Sequence, residues 1–208
     1  MYRQELEQIL PQDLPNRETV VAKAAQHLAL IEEANRQFNL TRITGAREAA
    51  IKHVLDSVMP WRLFAAARHI LDAGTGAGFP GIPLALVLPD VQFTLVESIQ
   101  KKARFVESAI GRLELTNATC TPRRAEEIVR ELRPDIVTAR AMAPVSRILT
   151  LFKPLPKMLL YKGPDVEEEI AEAAAEARKR RVRIEIVMRY DLPESQGTRT
   201  IVELQPLR

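Results

Sequence analysis

The sequence predicts an α/β fold built on a largely parallel sheet with helices on both faces. Three observations carry this reading. From residue 68 onward short apolar runs alternate with helical stretches, a glycine-rich turn directly follows the first run, and two alternating strands close the chain. Five strand–helix alternations and the final antiparallel hairpin make a mostly parallel sheet of seven strands. Residues 1–67 read as an N-terminal helical cap and residues 68–208 as the sheet domain, together one compact unit.

Asn16 is placed to cap a helix whose apolar stripe is Val20, Ala24, Leu28, Ile31 and Phe38, close to a period of 3.6. A second helix covers about 49–59, with Ile51, Val54, Leu55 and Val58 on one side and Pro60 ending it. Residues 69–71 form the first strand, followed by the turn and an apolar helix to about residue 88. Strand 93–96 leads into a basic amphipathic helix over 100–113, and 118–120 is a weak third strand before a short helix over 125–132. The fourth and fifth strands are 135–139 and 158–161. A long helix over 165–181 carries Glu167, Glu168 and Glu169 first and Arg178 to Arg181 last. That order complements the helix dipole and reads as structural. Strands 182–190 and 198–204 pair as a hairpin through a polar turn containing Gly197.

Composition removes several classes of protein. With 46% apolar and 27% charged residues the chain is neither disordered nor low-complexity. One cysteine excludes a disulfide framework and clustered-cysteine metal centres. The first fifteen residues lack the apolar core of a signal peptide, and no apolar run reaches the ~18 residues of a membrane span. A soluble, cytoplasmic protein is expected, and a monomer, because no long apolar seam is visible. Net charge is only +3, but residues 99–162 hold 13 Lys and Arg against 6 Asp and Glu. A basic middle in a near-neutral chain suggests a surface that faces a polyanion. With 6 Phe, 3 Tyr and 1 Trp, a stacking platform for single strands is not expected.

The segment Leu71-Asp72-Ala73-Gly74-Thr75-Gly76-Ala77-Gly78-Phe79-Pro80-Gly81-Ile82-Pro83 joins the first strand to its helix. Open parallel sheets bind ligands beyond the carboxyl ends of their strands, and glycines there let the backbone approach without a Cβ in the way. Glu97, ending the second strand, is placed to accept both hydroxyl protons of a ribose. Gly76-x-Gly78-x-x-Gly81 formally satisfies the dinucleotide fingerprint. The tight turn, however, is Gly74-x-Gly76-x-Gly78, and Phe79, Pro80 and Pro83 crowd the place where a pyrophosphate would approach. Asp72 would repel a diphosphate yet could help hold an amino-acid ammonium. S-adenosylmethionine, with a ribose at one end and a zwitterion at the other, fits better than NAD.

The stretches LDAGTGAGFPGIPLA, FTLVES and KKARFV stand in order with Asn39-Leu40-Thr41 and Lys52-His53-x-x-Asp56-Ser57 upstream. Arg124-Ala125-Glu126-Glu127, Thr138-Ala139-Arg140-Ala141 and Lys162-Gly163 follow downstream. Over about residues 14–205 this ordered set resembles the bacterial 16S ribosomal RNA guanine-N7 methyltransferase G family, known also as glucose-inhibited division protein B. The resemblance implies a Rossmann-like class I S-adenosylmethionine-dependent methyltransferase. It implies a guanine of 16S ribosomal RNA in the small ribosomal subunit as substrate. It also implies that Gly74 and Phe79 contact the cofactor, with Gly76 in the same turn, that Ala125 and Glu126 frame its adenine, and that Arg140 lines the site.

The residue chemistry agrees. Pyrimidine C5 methylation needs a nucleophilic cysteine, but Cys120 lies in a strand and reads as core. The fourth strand ends in Ala139-Arg140-Ala141, not in the Asn/Asp-Pro-Pro-aromatic turn of exocyclic-amine enzymes, and no metal-ligand cluster is visible. Guanine N7 carries an in-plane lone pair and loses no proton on methylation, so positioning suffices. No general base and no metal are assigned, and Arg140 is expected to orient. Lys101, Arg104, Arg124 and Lys162, at or beyond strand ends, are expected to grip RNA phosphates. His53 forms either a helix ion pair with Asp56 or a contact with RNA, while His27 and His69 read as ordinary helix and strand residues. A nicotinamide-dependent oxidoreductase and a nucleotide-sensing module remain the alternatives.

Overall fold

The computed structural model describes residues 1–207. The chain opens with α1 (Tyr2–Ile9) and α2 (Arg17–Asn35). Next α3 (Ala46–Ala49) runs through a π-helical segment, Ala50–Leu55, into α4 (Asp56–Val58). The alternating part is β1 (His69–Ala73), α5 (Gly81–Val87), β2 (Gln92–Val96), α6 (Gln100–Arg112), β3 (Ala118–Thr121), α7 (Ala125–Leu132), β4 (Ile136–Arg140), α8 (Val145–Leu151), β5 (Met158–Lys162) and α9 (Val166–Lys179). The chain closes with β6 (Val182–Asp191) and β7 (Thr198–Pro206).

The seven strands lie in the order β3-β2-β1-β4-β5-β7-β6. All pairs from β3 to β5 are parallel, and β7 is antiparallel to both β5 and β6. The expected mostly parallel sheet with an antiparallel C-terminal hairpin is therefore what the chain builds. Its last strand, not the first of the hairpin, sits inside against β5.

Strand alternation divides the core in two. Ile70, Ile136, Leu159 and Ile201 face one side, where α2, α5 and α6 contribute Leu28, Ile82 and Val106. Leu71, Val137, Leu160 and Val202 face the other, against Ile128 of α7, Leu149 of α8 and Ala173 of α9. The N-terminal helices thus share one core with α5 and α6. Lys23 and Gln26 of α2 tie them further, donating to the carbonyls of Leu113 and Arg112 at the end of α6 at 2.7 and 3.1 Å.

Three local readings change. Asn16 occupies the N-cap of α2 with left-handed backbone and no capping bond. Its amide donates instead to Val87 O at 3.3 Å, because the side chain is drawn across to α5. The helix ends at Asn35, so Phe38 packs from the following loop, and α1 and α8 are additional to the expected elements.

Candidate active site

Between β1 and α5 the chain makes a tight turn held by two acids. The amides of Gly74 and Thr75 both donate to Val96 O of β2, at 2.8 and 3.0 Å. Glu97, ending that strand, accepts from Gly76 N at 3.1 Å and from Ile99 N at 2.8 Å, one through each oxygen. Each carboxylate oxygen keeps a second acceptor position, as a ribose diol requires. Asp72, fully buried, accepts from Thr75 Oγ1 at 2.6 Å and Gly81 N at 2.9 Å, while its other oxygen has no partner. Burial pushes its carboxyl up to about 6, against the pull of the Thr75 hydroxyl. Gly81 must be glycine for this contact, since a Cβ there would stand 2.7 Å from Asp72 Oδ2. Asp72 therefore ties the turn to α5 from beneath through Oδ2.

Two cavities flank this turn at the carboxyl ends of the parallel strands. The first, about 240 Å³, is lined by Gly74, Ser98, Ala125, Glu126 and Met142, with Arg123, Arg124 and Arg147 at its margin. Gly74 has φ +70°, and a Cβ on it would project toward Met142 Cγ at 3.9 Å, into the space that this cavity keeps open. The second is a cleft of about 660 Å³ walled by Lys52, His53, Asp56, Arg140, Tyr161, Lys162, Glu169 and Arg199. Met142 and Ala143 belong to both linings and form the partition between them.

The expected site residues separate into distinct places. Gly74, Ala125, Glu126 and Arg124 meet in the first cavity, and Arg124 pairs loosely with Glu126 at 3.8 Å. Gly76 and Glu97 form the turn beside it. Phe79 is 4% exposed and covered on both sides, its ring 4.5 Å from His53 in parallel stacking and 4.8 Å from His27. The ring thus packs beneath the turn between two imidazoles.

Arg140 does stand at the end of β4 in the cleft. Its guanidinium donates to Lys52 O at 2.8 Å, pairs with Asp56 at 3.3 Å, and meets His53 Nδ1 at 3.4 Å. His53 makes no ion pair with Asp56. Burial first, then the charge of Arg140, pushes its imidazole down to about 3, and Nε2 meets Thr41 Oγ1 at 3.1 Å. The neutral, buried ring does not join the surface cations. Lys162 is likewise withdrawn: its ammonium donates to Ala143 O and to Glu169, both at 2.7 Å. Lys101 and Arg104 remain exposed in a separate groove along α6 and the end of α2, where Lys101 lies 4.2 Å over the ring of Phe38.

His27 is more than a helix residue. It is buried, its Nε2–H donates to Ala77 O at 2.8 Å, and burial pushes it down to about 4. The partners of Asp56 were not read from the sequence. Asp56 pairs with Arg199 at 3.4 Å as well as with Arg140, and the hydroxyl of Tyr190 donates to its Oδ1 at 2.9 Å. Arg199 could have been suspected as a cation between two threonines at the start of a buried strand. Nothing local marks Met142.

Known proteins resemble this chain over nearly its whole length. Residues 20–196 match the model of the family described as rRNA small subunit methyltransferase G. A protein of that name from Solibacter usitatus (strain Ellin6076) is 60% identical over 208 residues, spanning 98% of this chain and 99% of its own. One from Carboxydothermus hydrogenoformans is 35% identical over 194 residues, covering 88% of this chain and 82% of the relative. Among solved structures, an O-methyltransferase from Bacillus cereus in complex with SAH superposes with a TM-score of 0.59 at 15% identity, covering 97% of this chain and 95% of that one. The O-methyltransferase TomG from Streptomyces achromogenes, in complex with SAM, gives 0.55 at 18% identity, with 88% and 90% coverage. These likenesses establish the class I methyltransferase fold. With the turn, the paired acids and the two cavities in place on that fold, the chain belongs to the rRNA small subunit methyltransferase G family.

Proposed function

We propose that this protein methylates N7 of a guanine in 16S ribosomal RNA, with S-adenosylmethionine as donor and the small ribosomal subunit as partner. One observation carries the reading: a donor cavity and an acceptor cleft meet at Met142 and Ala143, and the cleft holds no uncommitted base. Asp56 is held by two arginines and Tyr190, Glu169 by Lys162, and Lys52 by Glu48. His53 is neutral and bonded on both nitrogens, and Tyr161 donates to Ser57 O. Such a cleft suits an acceptor that arrives as a lone pair and surrenders no proton.

S-adenosylmethionine, when bound, supplies an electrophilic methyl group on its sulfonium. The residues that would hold it are the Gly74–Gly76 turn, Glu97 beneath the ribose, and Ala125 and Glu126 beside the adenine. Arg140, fixed by Asp56 and Lys52 O, is held as an orienting donor at the cleft edge. It can reach guanine O6 or a phosphate, while N7 must stay free. Positioning of this kind can be worth ~10⁵ M or more in effective concentration.

A dinucleotide fits poorly. Its pyrophosphate would need free amides at the start of α5, but Gly81 N is taken by Asp72 and Ile82 N by Gly78 O. The exposed large apolar side chains Met1, Ile99, Leu132, Ile186 and Leu207 are scattered along the chain, which supports a monomer, and a ribosomal substrate implies action in the cytoplasm. Among the described residues no helix is long and apolar enough to cross a membrane.

Purified protein, small-subunit RNA and donor should yield one new N7-methylguanine by mass spectrometry. The single-turnover rate should be flat between about pH 6.5 and 9, as expected without a general base. Calorimetry should detect S-adenosylhomocysteine and not NAD. Absence of the methylated base, or a rate that climbs tenfold per pH unit near neutrality, overturns the reading.

A further inference from the structure

The partition between the two cavities is a short stretch of irregular backbone, residues 141–144, beginning at Ala141 with φ +52°. Such a stretch has no ladder of its own to fix its position. Its far end is gripped by one ion pair. Lys162, at the end of β5, donates to the carbonyl of Ala143 at 2.7 Å and to Glu169 Oε2 at 2.7 Å. The same Glu169 oxygen, presented from α9, accepts from Val145 N at 3.0 Å. A carbonyl and an amide two residues apart are therefore held by a single lysine–glutamate unit anchored on two rigid elements.

The pair is sheltered, the lysine side chain being 10% exposed and the glutamate 32%. Its charges are thus largely spent on the wall and little on solvent. A cation reserved for phosphate would keep its donors free, and the other lysine of the cleft, Lys52, faces outward to Glu48.

We propose that Lys162 and Glu169 are positioning residues for methyl transfer: they set where Met142 and Ala143 stand between donor and acceptor. The inference rests on the function proposed above. Since misplacement of a reacting group by about 1 Å can cost ~10²-fold in rate, the loss on breaking the clamp should fall on kcat and spare binding.

The test compares Lys162→Met, Glu169→Gln, Glu169→Ala and the Lys162→Met/Glu169→Ala double variant. The assay is single-turnover methylation of small-subunit RNA at saturating RNA and donor. Each single variant is expected to lose about 10- to 100-fold in rate. The KM for RNA and the affinity for S-adenosylhomocysteine should stay within about threefold, and Glu169→Gln should be the mildest. The double variant should be no slower than the worse single one, because the two act as one unit. A merely structural cap on α8 would lower Tm and leave kcat alone. Rates within twofold of wild type overturn the proposal, as does a loss confined to KM, which would return Lys162 to phosphate binding. Should Lys162→Met fail to fold, the more exposed Glu169 variants decide alone. Wild-type protein that forms no N7-methylguanine overturns the functional reading and this inference together, whereas active wild type with unaffected variants overturns only this one.

Discussion

Two buried imidazoles beneath the glycine turn weaken the fold in acid. His27 is pushed down to about 4 and His53 to about 3 from an ordinary 6.5, in both cases chiefly by burial. The unfolded chain takes up these protons first, so their contribution to stability is complete above about pH 6.5 and is lost as pH falls toward 4. For His27 the interval from 6.5 to about 4 corresponds to roughly 3 kcal/mol at most. Asp72 works the other way. Its raised carboxyl favours the fold below its unfolded value, and that contribution is lost as pH rises through about 6. Denaturant melts across pH 4 to 7 should show His27→Gln flattening the acid loss relative to wild type. A variant curve parallel to wild type would show that the buried ring is not its source. Phe79, clasped between the same two rings, shows why a sequence cannot assign such contacts. His27 is remote along the chain, and only the packed α2 brings it to the turn.

At the scale of elements, the C-terminal hairpin reaches back to the helical layer chiefly at one buried carboxylate. Asp56, 3% exposed at its side chain, binds Arg140 of β4 and Arg199 of β7, and accepts the Tyr190 hydroxyl of β6. Removing a sheltered partner leaves charges uncompensated, so Asp56→Asn should cost about 3 kcal/mol in chemical denaturation. Tyr190→Phe removes one neutral donor and should cost about 1 kcal/mol. Equal losses for the two would mean that the arginines are not held by the acid. The strands, α6, α7, α9 and the hairpin were legible because each carries its own periodicity or charge order. The helix through Ala50–Leu55 was legible although its π-helical winding was not, and α1 and α8 were not legible, since each is short and owes its place to packing. Of the site, the turn and Glu97 were legible as local pattern. The Asp56 cluster was not, because its partners lie more than 80 positions away in sequence.

For the whole molecule, the basic middle read from composition is answered by acids only in part, six of its 13 cations standing in ion pairs. Arg112 pairs with Glu33, Arg123 with Glu131, Lys157 with Glu203 and Lys162 with Glu169. Among the described residues Lys101 and Arg104 make no ion pair, and both stand exposed on the first turns of α6. Lys101→Ala and Arg104→Ala should each lower the slope of log K against log salt for RNA binding by about 1. An unchanged slope for both would place the phosphate contacts on another face. The hairpin has a consequence for synthesis as well. Arg47 reaches Glu194 at 2.8 Å, and Asp56 reaches Tyr190 and Arg199. The segment around residues 47–56 thus waits for residues 190–199 to be synthesised before the wall of the cleft is whole. A prematurely terminated product, even one retaining every glycine of the turn, would be released with that wall unfinished.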